Sequence, residues 1–219
     1  MGLASGVRRL PVMGVDLPSP HQMWRRLQTR WGRTALRREP PAERTRQGRR
    51  LDESTSVVFL APGHSPGLRA QLFDLVDGVD GHPDIGSWSI VVDTGMTRKA
   101  HAKARAQRIK RLEESQVLPP EFPQNPSVHL CWRDDLDSRG LPTETPEILA
   151  SADVLIHLDG HRDNLVLHAL LKRSKVGFKV GPSGSGLDAL DFMLSWPEGG
   201  DMSSFVQLAF HYLKTLDLK

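Results

Sequence analysis

The residues Gly63-His64-Ser65-Pro66-Gly67 form a G-x-S-x-G pentapeptide between an apolar segment and a helical segment. In hydrolases this pattern places a nucleophilic serine on a sharp turn, and an acid and a histidine complete the catalytic set. Asp159 and His211 follow Ser65 in that order. Pro66 opposes this interpretation, because the oxyanion hole needs the backbone N–H of the residue after the serine and proline has none. We therefore expect a Pro/Gly loop that leads the chain into a helix, with Pro66 at the first helical position.

A second candidate set is His157-x-Asp159-x-His161, which follows an apolar segment. In an extended chain these three side chains share one face, and two imidazoles with a carboxylate can hold a metal ion. Gly160 interrupts the extension before His161, and Asp159 can instead cap the helix that follows. The sequence therefore predicts no metal site and no cofactor.

The third candidate is the glycine-rich segment 181–186 (GPSGSG), whose backbone N–H groups could bind phosphate. It lacks the Lys-Ser/Thr pair of a P-loop, and too few residues separate it from the next apolar segment for a full helix, so we expect a turn. Open α/β sheets bind ligands at the carboxyl ends of their strands. If the protein is an enzyme, we expect its ligand site around these residues: Ser65, Asp93, His157, Asp159, Gly181, Ser183, Gly184 and Gly186.

These side chains depend on six short apolar segments that alternate with helical ones. The predicted strands are Ser56–Ala61, Trp88–Asp93, Val128–Trp132, Val154–Leu158, Val176–Val180 and Phe192–Trp196. The predicted helices of this region are Pro66–Val76, Thr97–Gln116, Glu144–Ser151, Arg162–Arg173 and Met202–Leu216. Several strands are apolar on successive residues, which is typical of strands buried on both faces. The alternation predicts a single doubly wound, mostly parallel, Rossmann-like α/β sheet.

Charge divides the chain into two parts. The formal net charge is +3 over 219 residues, but residues 1–50 hold twelve arginines, no lysine and three carboxylates. Their balance is +9, and that of residues 51–219 is −6. We expect a disordered lead over 1–20, a basic amphipathic helix over 21–38, a linker over 39–54 and the α/β domain over 55–219.

The predicted basic helix has Trp24, Leu27, Trp31 and Ala35 on one face. Arginines occupy most of the rest: Arg25, Arg26, Arg30, Arg33, Arg37 and Arg38. Arginine binds phosphate with two parallel hydrogen bonds, and tryptophan can stack on bases, so RNA or the ribosome is the first expected partner. The same helix could lie on an anionic membrane surface, or dock its apolar face on the protein's own body.

A second basic segment opens the predicted helix Thr97–Gln116, beginning with Arg98 and Lys99. It either forms a solvated helix face or extends the anion-binding surface. Cys131 lies within a predicted strand and is expected to be a small core residue.

Composition excludes several classes of protein. No apolar segment approaches the 18 or so residues of a membrane-spanning helix. A single cysteine can form neither an internal disulfide nor a CxxC zinc site. Residues 10–15 are too short and too interrupted for the apolar part of a signal peptide, so we expect a cytoplasmic protein.

From about Ser56 to Leu216 the order of motifs resembles an uncharacterised bacterial family, of Bacteroidetes type, with no assigned activity. The segments that carry the resemblance are 152–158 (ADVLIHL), 167–181 (LHALLKRSKVGFKVG), 205–213 (FVQLAFHYL), and 132–135 (WRDD) with 140–142 (GLP). The resemblance implies a compact α/β domain. A more distant likeness, around the fourth strand, is to the N-terminal, acceptor-side half of heptosyltransferase-type glycosyltransferases, which would imply half of a two-lobed fold.

Together these patterns favour a non-catalytic binding or adaptor module that docks RNA or the ribosome through its arginine-rich helix. The alternative is an enzyme that acts on a small phosphorylated or sugar substrate, of glycosyltransferase or hydrolase type. The two alternatives place function on different parts of the chain: the arm for binding, and the strand ends for catalysis.

Overall fold

The computed structural model of the protein describes residues 20–48, 50–112, 121–160, 164–183 and 188–215. Its strands are β1 Ser56–Pro62, β2 Ser87–Asp93, β3 Val128–Cys131, β4 Val154–His157, β5 Phe178–Pro182 and β6 Phe192–Leu194. Its α-helices are α1 Pro20–Arg38, α2 Pro66–Val79, α3 Arg98–Leu112, α4 Ile148–Ser151, α5 Leu165–Arg173 and α6 Met202–Thr215. The predicted α/β class is confirmed, with boundaries shifted by a few residues.

All six strands are parallel and form one sheet in the order β3-β2-β1-β4-β5-β6. The chain reverses its direction of travel across the sheet between β3 and β4, so β1 and β4 are neighbours although three α-helices (α2, α3 and α4) and two strands separate them in sequence. Their carboxyl ends diverge at this switch point, where doubly wound sheets bind ligands.

Apolar layers cover both faces of the sheet. Val57 and Phe59 face one layer, which also contains the buried sides of α2 and α6. Val58 and Leu60 face the other, against α4 and α5. All four of these β1 side chains are essentially inaccessible to solvent, which explains why the strand is apolar on successive residues.

The described part of the predicted linker lies against the body. The Ala42 N–H donates to the carbonyl of Lys172, and the Gln47 N–H donates to the carbonyl of Gly177. The Arg44 guanidinium forms two hydrogen bonds, of 2.7 and 2.8 Å, with the two carboxylate oxygens of Asp191. Both side chains of this ion pair are more than nine-tenths buried, so the segment is anchored between α1 and β1.

A fully buried lysine joins β5 to the end of α5. Lys179 Nζ donates 2.7 Å hydrogen bonds to the carbonyls of Leu171 and Ser174. These carbonyls lie in or beyond the last turn of α5, where the helix leaves acceptors without partners and its dipole favours a cation. The lysine therefore caps the helix from within the core.

Among the described residues, no helix is both long enough and apolar enough to cross a membrane.

Candidate functional site

A cavity of about 380 Å³ opens at the switch point of the sheet. It is lined by residues that follow β1, β2 and β4, by the start of α5, and by one side of α1; its polar lining includes Arg25, Gln28, Thr29, His64, Asp93, Arg133, Arg139, Asp159 and Asn164. Two of the predicted site residues, Asp93 and Asp159, are thus brought together at the strand ends. The cavity also contains residues that the sequence analysis did not single out, above all Arg133, Arg139 and Asn164.

Asn164 organises the floor of this cavity. Its side-chain amide donates a 2.7 Å hydrogen bond to Asp93 Oδ2, and its backbone N–H donates to Asp159 Oδ2 at 3.2 Å. Its side-chain oxygen accepts the Leu167 N–H at 3.1 Å, which caps α5. Asp93 and Asp159 are both nearly inaccessible to solvent, so a single residue joins two buried carboxylates to the start of the helix.

Three arginines line the same cavity as these acidic groups. Arg25 comes from α1, and Arg133 and Arg139 come from the segment after β3. Burial, reinforced by the charge of Arg25, lowers the pKa of Arg133, while Asp93 acts in the opposite direction. Two like charges held near each other favour an anionic ligand between them, because it would relieve their repulsion.

The loop after β2 reaches this cavity through a close backbone contact. Gly95 has φ +67°, and a Cβ atom at this position would come within 2.5 Å of the Cβ of His64. The Asp93 carboxylate accepts the Gly95 N–H at 3.1 Å. Glycine is therefore required both by the backbone conformation and by the space beside His64.

A histidine pair lies beside the cavity, under the start of α5. His157 ends β4 and is completely buried, and its ring centroid lies 5.5 Å from that of His168 on α5. His168 Nε2 is 3.8 Å from Asp159 Oδ2. Burial, together with the neighbouring His168, lowers the pKa of His157 to about 3, so this imidazole is neutral at physiological pH. The predicted third member of the set, His161, lies outside the described residues.

Ser65 caps α2, and Pro66 lies at the start of that helix, where the sequence predicts it. The side-chain oxygen of Ser65 accepts the Leu68 N–H at 3.3 Å, the Ser65 backbone is extended, and Pro66 occupies the first turn of α2. The His211 side chain is exposed on α6. The G-x-S-x-G pentapeptide is therefore explained by helix capping rather than by a strained catalytic turn.

The predicted glycine-rich site is described only in part. Gly181 belongs to β5, and the Ser183 N–H donates to the carbonyl of Leu194 at 2.7 Å, which continues the contact between β5 and β6. Gly184 and Gly186 lie outside the described residues. Neither Gly181 nor Ser183 is among the residues that line the cavity.

The basic helix α1 docks on the body, but not through the apolar face that its sequence predicts. Gly32 and Leu36 form the buried side, with Leu36 packed against Leu141 and Ala169. A Cβ atom at Gly32 would come within 2.4 Å of the carbonyl oxygen of Arg139. Of the apolar face that could have docked on the body, only Ala35 packs against this cluster, while Trp24, Leu27 and Trp31 are exposed, because close approach of the backbones selects the glycine side.

Two surfaces of α1 consequently face away from α5. The tryptophan stripe consists of Met23, Trp24, Leu27 and Trp31, each between 41% and 52% exposed. The arginine row consists of Arg26, Arg30, Arg33 and Arg37, all exposed. Between the side chains of this row and of Arg25 lies a shallow concave surface.

Arg98 and Lys99, the first two residues of the basic helix α3, differ in their contacts. Arg98 forms two hydrogen bonds with the Asp135 carboxylate, at 2.7 and 3.0 Å, and its guanidinium carbon lies 5.9 Å from the ring centroid of Trp132. Lys99 is exposed. Arg98 is therefore paired within the protein although its side chain is exposed, and Lys99 is exposed beside it.

Cys131 is half-buried at the end of β3. Burial, with the charges of Asp93 and Asp135, raises the pKa of its thiol to about 12. The thiol therefore stays protonated at neutral pH and lacks the reactive thiolate of a nucleophile, in keeping with its predicted role in packing.

Arg133, Arg139 and His168 escaped sequence analysis for a common reason. Arg133 and Arg139 lie in the connection after β3, Arg133 at the start of a three-residue 3-10 helix, and His168 interrupts a leucine-rich helix, so no local pattern marks them as site residues. Asn164 carried a usable signal, because an asparagine directly before an apolar helical segment is typical of an N-cap.

The comparisons with known proteins concern the second half of the chain. No curated protein matches, and no solved structure matches. The likeness to glycosyltransferases accordingly receives no support. The model of a family of unknown function (DUF6913) matches residues 121–216, from the segment before β3 to the end of α6, and the predicted resemblance to a family without assigned activity is confirmed over that range. In this half, which holds Arg133, His157, Asp159 and Asn164, the chain is similar to DUF6913.

Proposed function

We propose that the protein binds single-stranded RNA through the outward surface of α1, and that the α/β body is the scaffold that holds this helix. The observation that carries the proposal is the docking of α1 by its Gly32 and Leu36 side. This arrangement leaves the arginine row and the tryptophan stripe side by side and exposed. A helix docked by its tryptophans would have hidden half of that surface.

The arginine row supplies the electrostatic part of the interaction. Within the described residues, no carboxylate forms an ion pair with Arg26, Arg30 or Arg37. The four positions of the arginine row, with Arg33 included, repeat every three or four residues, so their guanidinium groups follow one line along the helix. Such a line can contact successive phosphates, each with two hydrogen bonds.

The tryptophan stripe supplies flat apolar surface beside that line. Trp24 and Trp31 contact each other edge to face, with ring centroids 5.9 Å apart and planes at 90°. Each ring is about half exposed. Stacking of a base on an aromatic ring contributes about 1–3 kcal/mol and needs bases that are not paired in a duplex. We therefore propose a single strand, with its phosphates on the arginines and its bases on the tryptophans.

The positive surface continues from α1 onto the body. Arg25 lies both beside the arginine row and at the cavity, which Arg133 and Arg139, the latter paired with Asp137, also line. The strand ends thus extend the path available to a polyanion beyond the helix.

The order of the side chains around α1 favours RNA over a membrane surface. Residues on an α-helix are about 100° apart, which places the arginine row and the tryptophan stripe on opposite flanks of the outward surface. A helix that lies in a membrane interface needs its apolar sector centred toward the lipid, with basic residues on both sides. Here the apolar sector is displaced to one flank.

The experiment measures binding of the full chain to a fluorescent 12-nucleotide RNA of mixed sequence and, separately, to vesicles of phosphatidylcholine and phosphatidylserine. The variant is Trp24→Leu/Trp31→Leu, which keeps apolar surface but removes both aromatic faces. We expect its RNA affinity to fall about tenfold or more, through lost stacking. Equal RNA affinity, or strong vesicle binding by both proteins without RNA binding, would overturn the proposal.

A second candidate function is favoured by the cavity itself. Its three arginines and its capped helix N-terminus suit a small phosphorylated substrate, such as a sugar phosphate. The test is a thermal-shift titration of the protein with sugar phosphates and with the corresponding free sugars. For this candidate we expect the phosphorylated compounds, but not the free sugars, to raise the melting temperature, and we expect Arg133→Gln to abolish this rise. If neither set of compounds changes the melting temperature, this candidate function is excluded.

A further inference from the structure

We propose that His157, Asp159 and His168 form a binding site for one divalent transition-metal ion, with zinc as the preferred ion. One potential ligand atom from each side chain, an imidazole nitrogen or a carboxylate oxygen, lies within 4.8 Å of the other two. The inference is independent of RNA binding, since it concerns the interior of the body and not the surface of α1.

The three side chains are positioned by different elements of the fold. His157 ends β4, Asp159 follows it in the loop, and His168 lies on α5, which covers this end of the sheet. The topology of the sheet at its switch point places α5, and with it His168, over the end of β4. His168 is thus the third ligand, in place of His161, which the sequence pattern had suggested.

The type and the burial of the ligands suit a transition metal. Two imidazoles and a carboxylate form a donor set that binds zinc in many proteins, whereas magnesium and calcium prefer oxygen alone. His157 and Asp159 are at least 98% buried, and the His168 side chain is 12% exposed. Ligands of tetrahedral zinc lie about 3.4 Å apart for bonds of about 2.1 Å, so side-chain rotations that bring the ligand atoms up to about 1.4 Å closer than their 4.8 Å limit complete the site.

His157 provides an independent reason to expect a ligand. Among the described residues, neither of its ring nitrogens has a hydrogen-bond partner, although the side chain is completely buried. Each unsatisfied buried polar atom is costly, and native proteins contain few of them. A metal ion bound to one nitrogen would compensate part of this cost.

The surroundings also support a built site. The Asn164 N–H donates to the Asp159 carboxylate, and the Asn164 side chain caps the helix that carries His168. Outer hydrogen bonds of this kind orient metal ligands. A Cβ atom at Gly181 would lie 2.9 Å from the Leu190 methyls and 3.2 Å from the Cβ of His157, so glycine on β5 lets His157 and Leu190 pack closely beside this strand.

Three protein ligands leave a fourth coordination position available. Asp159 also lines the cavity that holds Arg25, Arg133 and Arg139. A small molecule in that cavity could therefore approach the ion from the side of the arginines. This arrangement, with one open position, is typical of catalytic rather than structural zinc sites.

The test uses the full chain without an affinity tag, treated with a chelator and then dialysed. Isothermal titration with Zn²⁺ is expected to show one ion per chain, and Co²⁺ is expected to give the strong visible absorption of a four-coordinate complex. His157→Gln, Asp159→Asn and His168→Gln should each weaken Zn²⁺ binding by about 100-fold or more. The matched control is His211→Gln, whose exposed side chain on α6 should leave the affinity unchanged.

Circular dichroism of each variant separates loss of the site from loss of the fold. A folded His168→Gln protein that binds Zn²⁺ as tightly as the wild type would overturn the proposal. So would the absence of stoichiometric binding to the wild type. Loss of binding in His161→Gln with retention in His168→Gln would likewise overturn it, because the ligand set would then be a different one.

Discussion

The side-chain amide of Asn164 donates a 2.7 Å hydrogen bond to Asp93 Oδ2, which joins the start of α5 to the end of β2 across β1 and β4. The same side chain caps α5 through its oxygen. Asn164 thereby couples the position of the helix to the shape of the cavity. We expect Asn164 to contribute more to the free energy of unfolding than an ordinary helix cap, because its amide nitrogen and its amide oxygen both form hydrogen bonds.

We predict that Asn164→Ala lowers the free energy of unfolding by about 2–3 kcal/mol, because it removes a helix cap and leaves the buried Asp93 carboxylate without that donor. The matched control is Ser65→Ala, which removes only the cap of α2 and should cost about 1 kcal/mol. Urea unfolding monitored by circular dichroism measures both. Equal losses in the two variants would show that the link to Asp93 contributes nothing.

The docking of α1 depends on the absence of a side chain at Gly32. A Cβ atom there would approach both Leu165 Cδ2 and the Arg139 carbonyl oxygen to 2.4 Å, and a valine adds two further methyl groups. We predict that Gly32→Val separates α1 from the body without unfolding the sheet. Limited digestion with trypsin should then cut the arginines of α1 severalfold faster than in the wild type, while the body survives.

Thr34→Val is the control for this experiment. It introduces the same β-branched residue two positions away, at an exposed site of the same helix. Its effect on the intrinsic stability of the helix is therefore comparable or smaller. Equal digestion rates for the two variants would mean that the Gly32 contact does not hold the helix.

Lys179 gives the protein a specific dependence on pH. Burial, reinforced by the charge of Arg44, lowers its pKa to about 8 from the ordinary value of 10.5. Between these two values the unfolded chain binds more protons than the folded one, so this group makes the free energy of unfolding rise with pH. We predict that the rise is lost in Lys179→Met.

Cys131 acts in the opposite direction, because its folded pKa is raised and its unfolded thiol ionises near pH 9. The comparison is therefore the difference between wild type and Lys179→Met, in which the thiol contribution cancels. Urea unfolding at pH 7.5 and 9.5 measures this difference in the free energy of unfolding. The deficit of the variant should grow at the higher pH, and a constant deficit would contradict the buried-lysine account.

The strands could be predicted from sequence because burial on both faces requires apolar residues in succession, as in residues 57–61 of β1. The start of α2 at Pro66 was predictable for a local reason as well, since proline lacks the N–H donor that a catalytic turn needs and suits the first helical position. The docked side of α1 could not be predicted from sequence, because helix packing selected Gly32 for its small size. Hydrophobicity patterns favour Trp24 and Trp31 instead.

The candidate site could be predicted only where its residues follow strands directly. Asp93, His157 and Asp159 are of this kind, and the parallel sheet brings their strand ends to one edge. His168 reaches the same edge on α5, and Arg133 reaches it on the short 3-10 helix that follows β3. Their positions depend on packing between elements distant in sequence, which no local pattern encodes.

The central claim, that the arginine row binds RNA phosphates, is tested most directly by the salt dependence of RNA binding. Arg26→Gln/Arg30→Gln/Arg37→Gln removes three of its charges, and Lys103→Gln/Arg105→Gln/Lys110→Gln removes three exposed charges from α3 as the matched control. Each phosphate contact on a single strand contributes about 0.7 to the slope of log affinity against log salt concentration. We predict that the slope falls by about 2 in the α1 variant and stays unchanged in the α3 variant, whereas equal slopes in the wild type and the α1 variant would contradict the account.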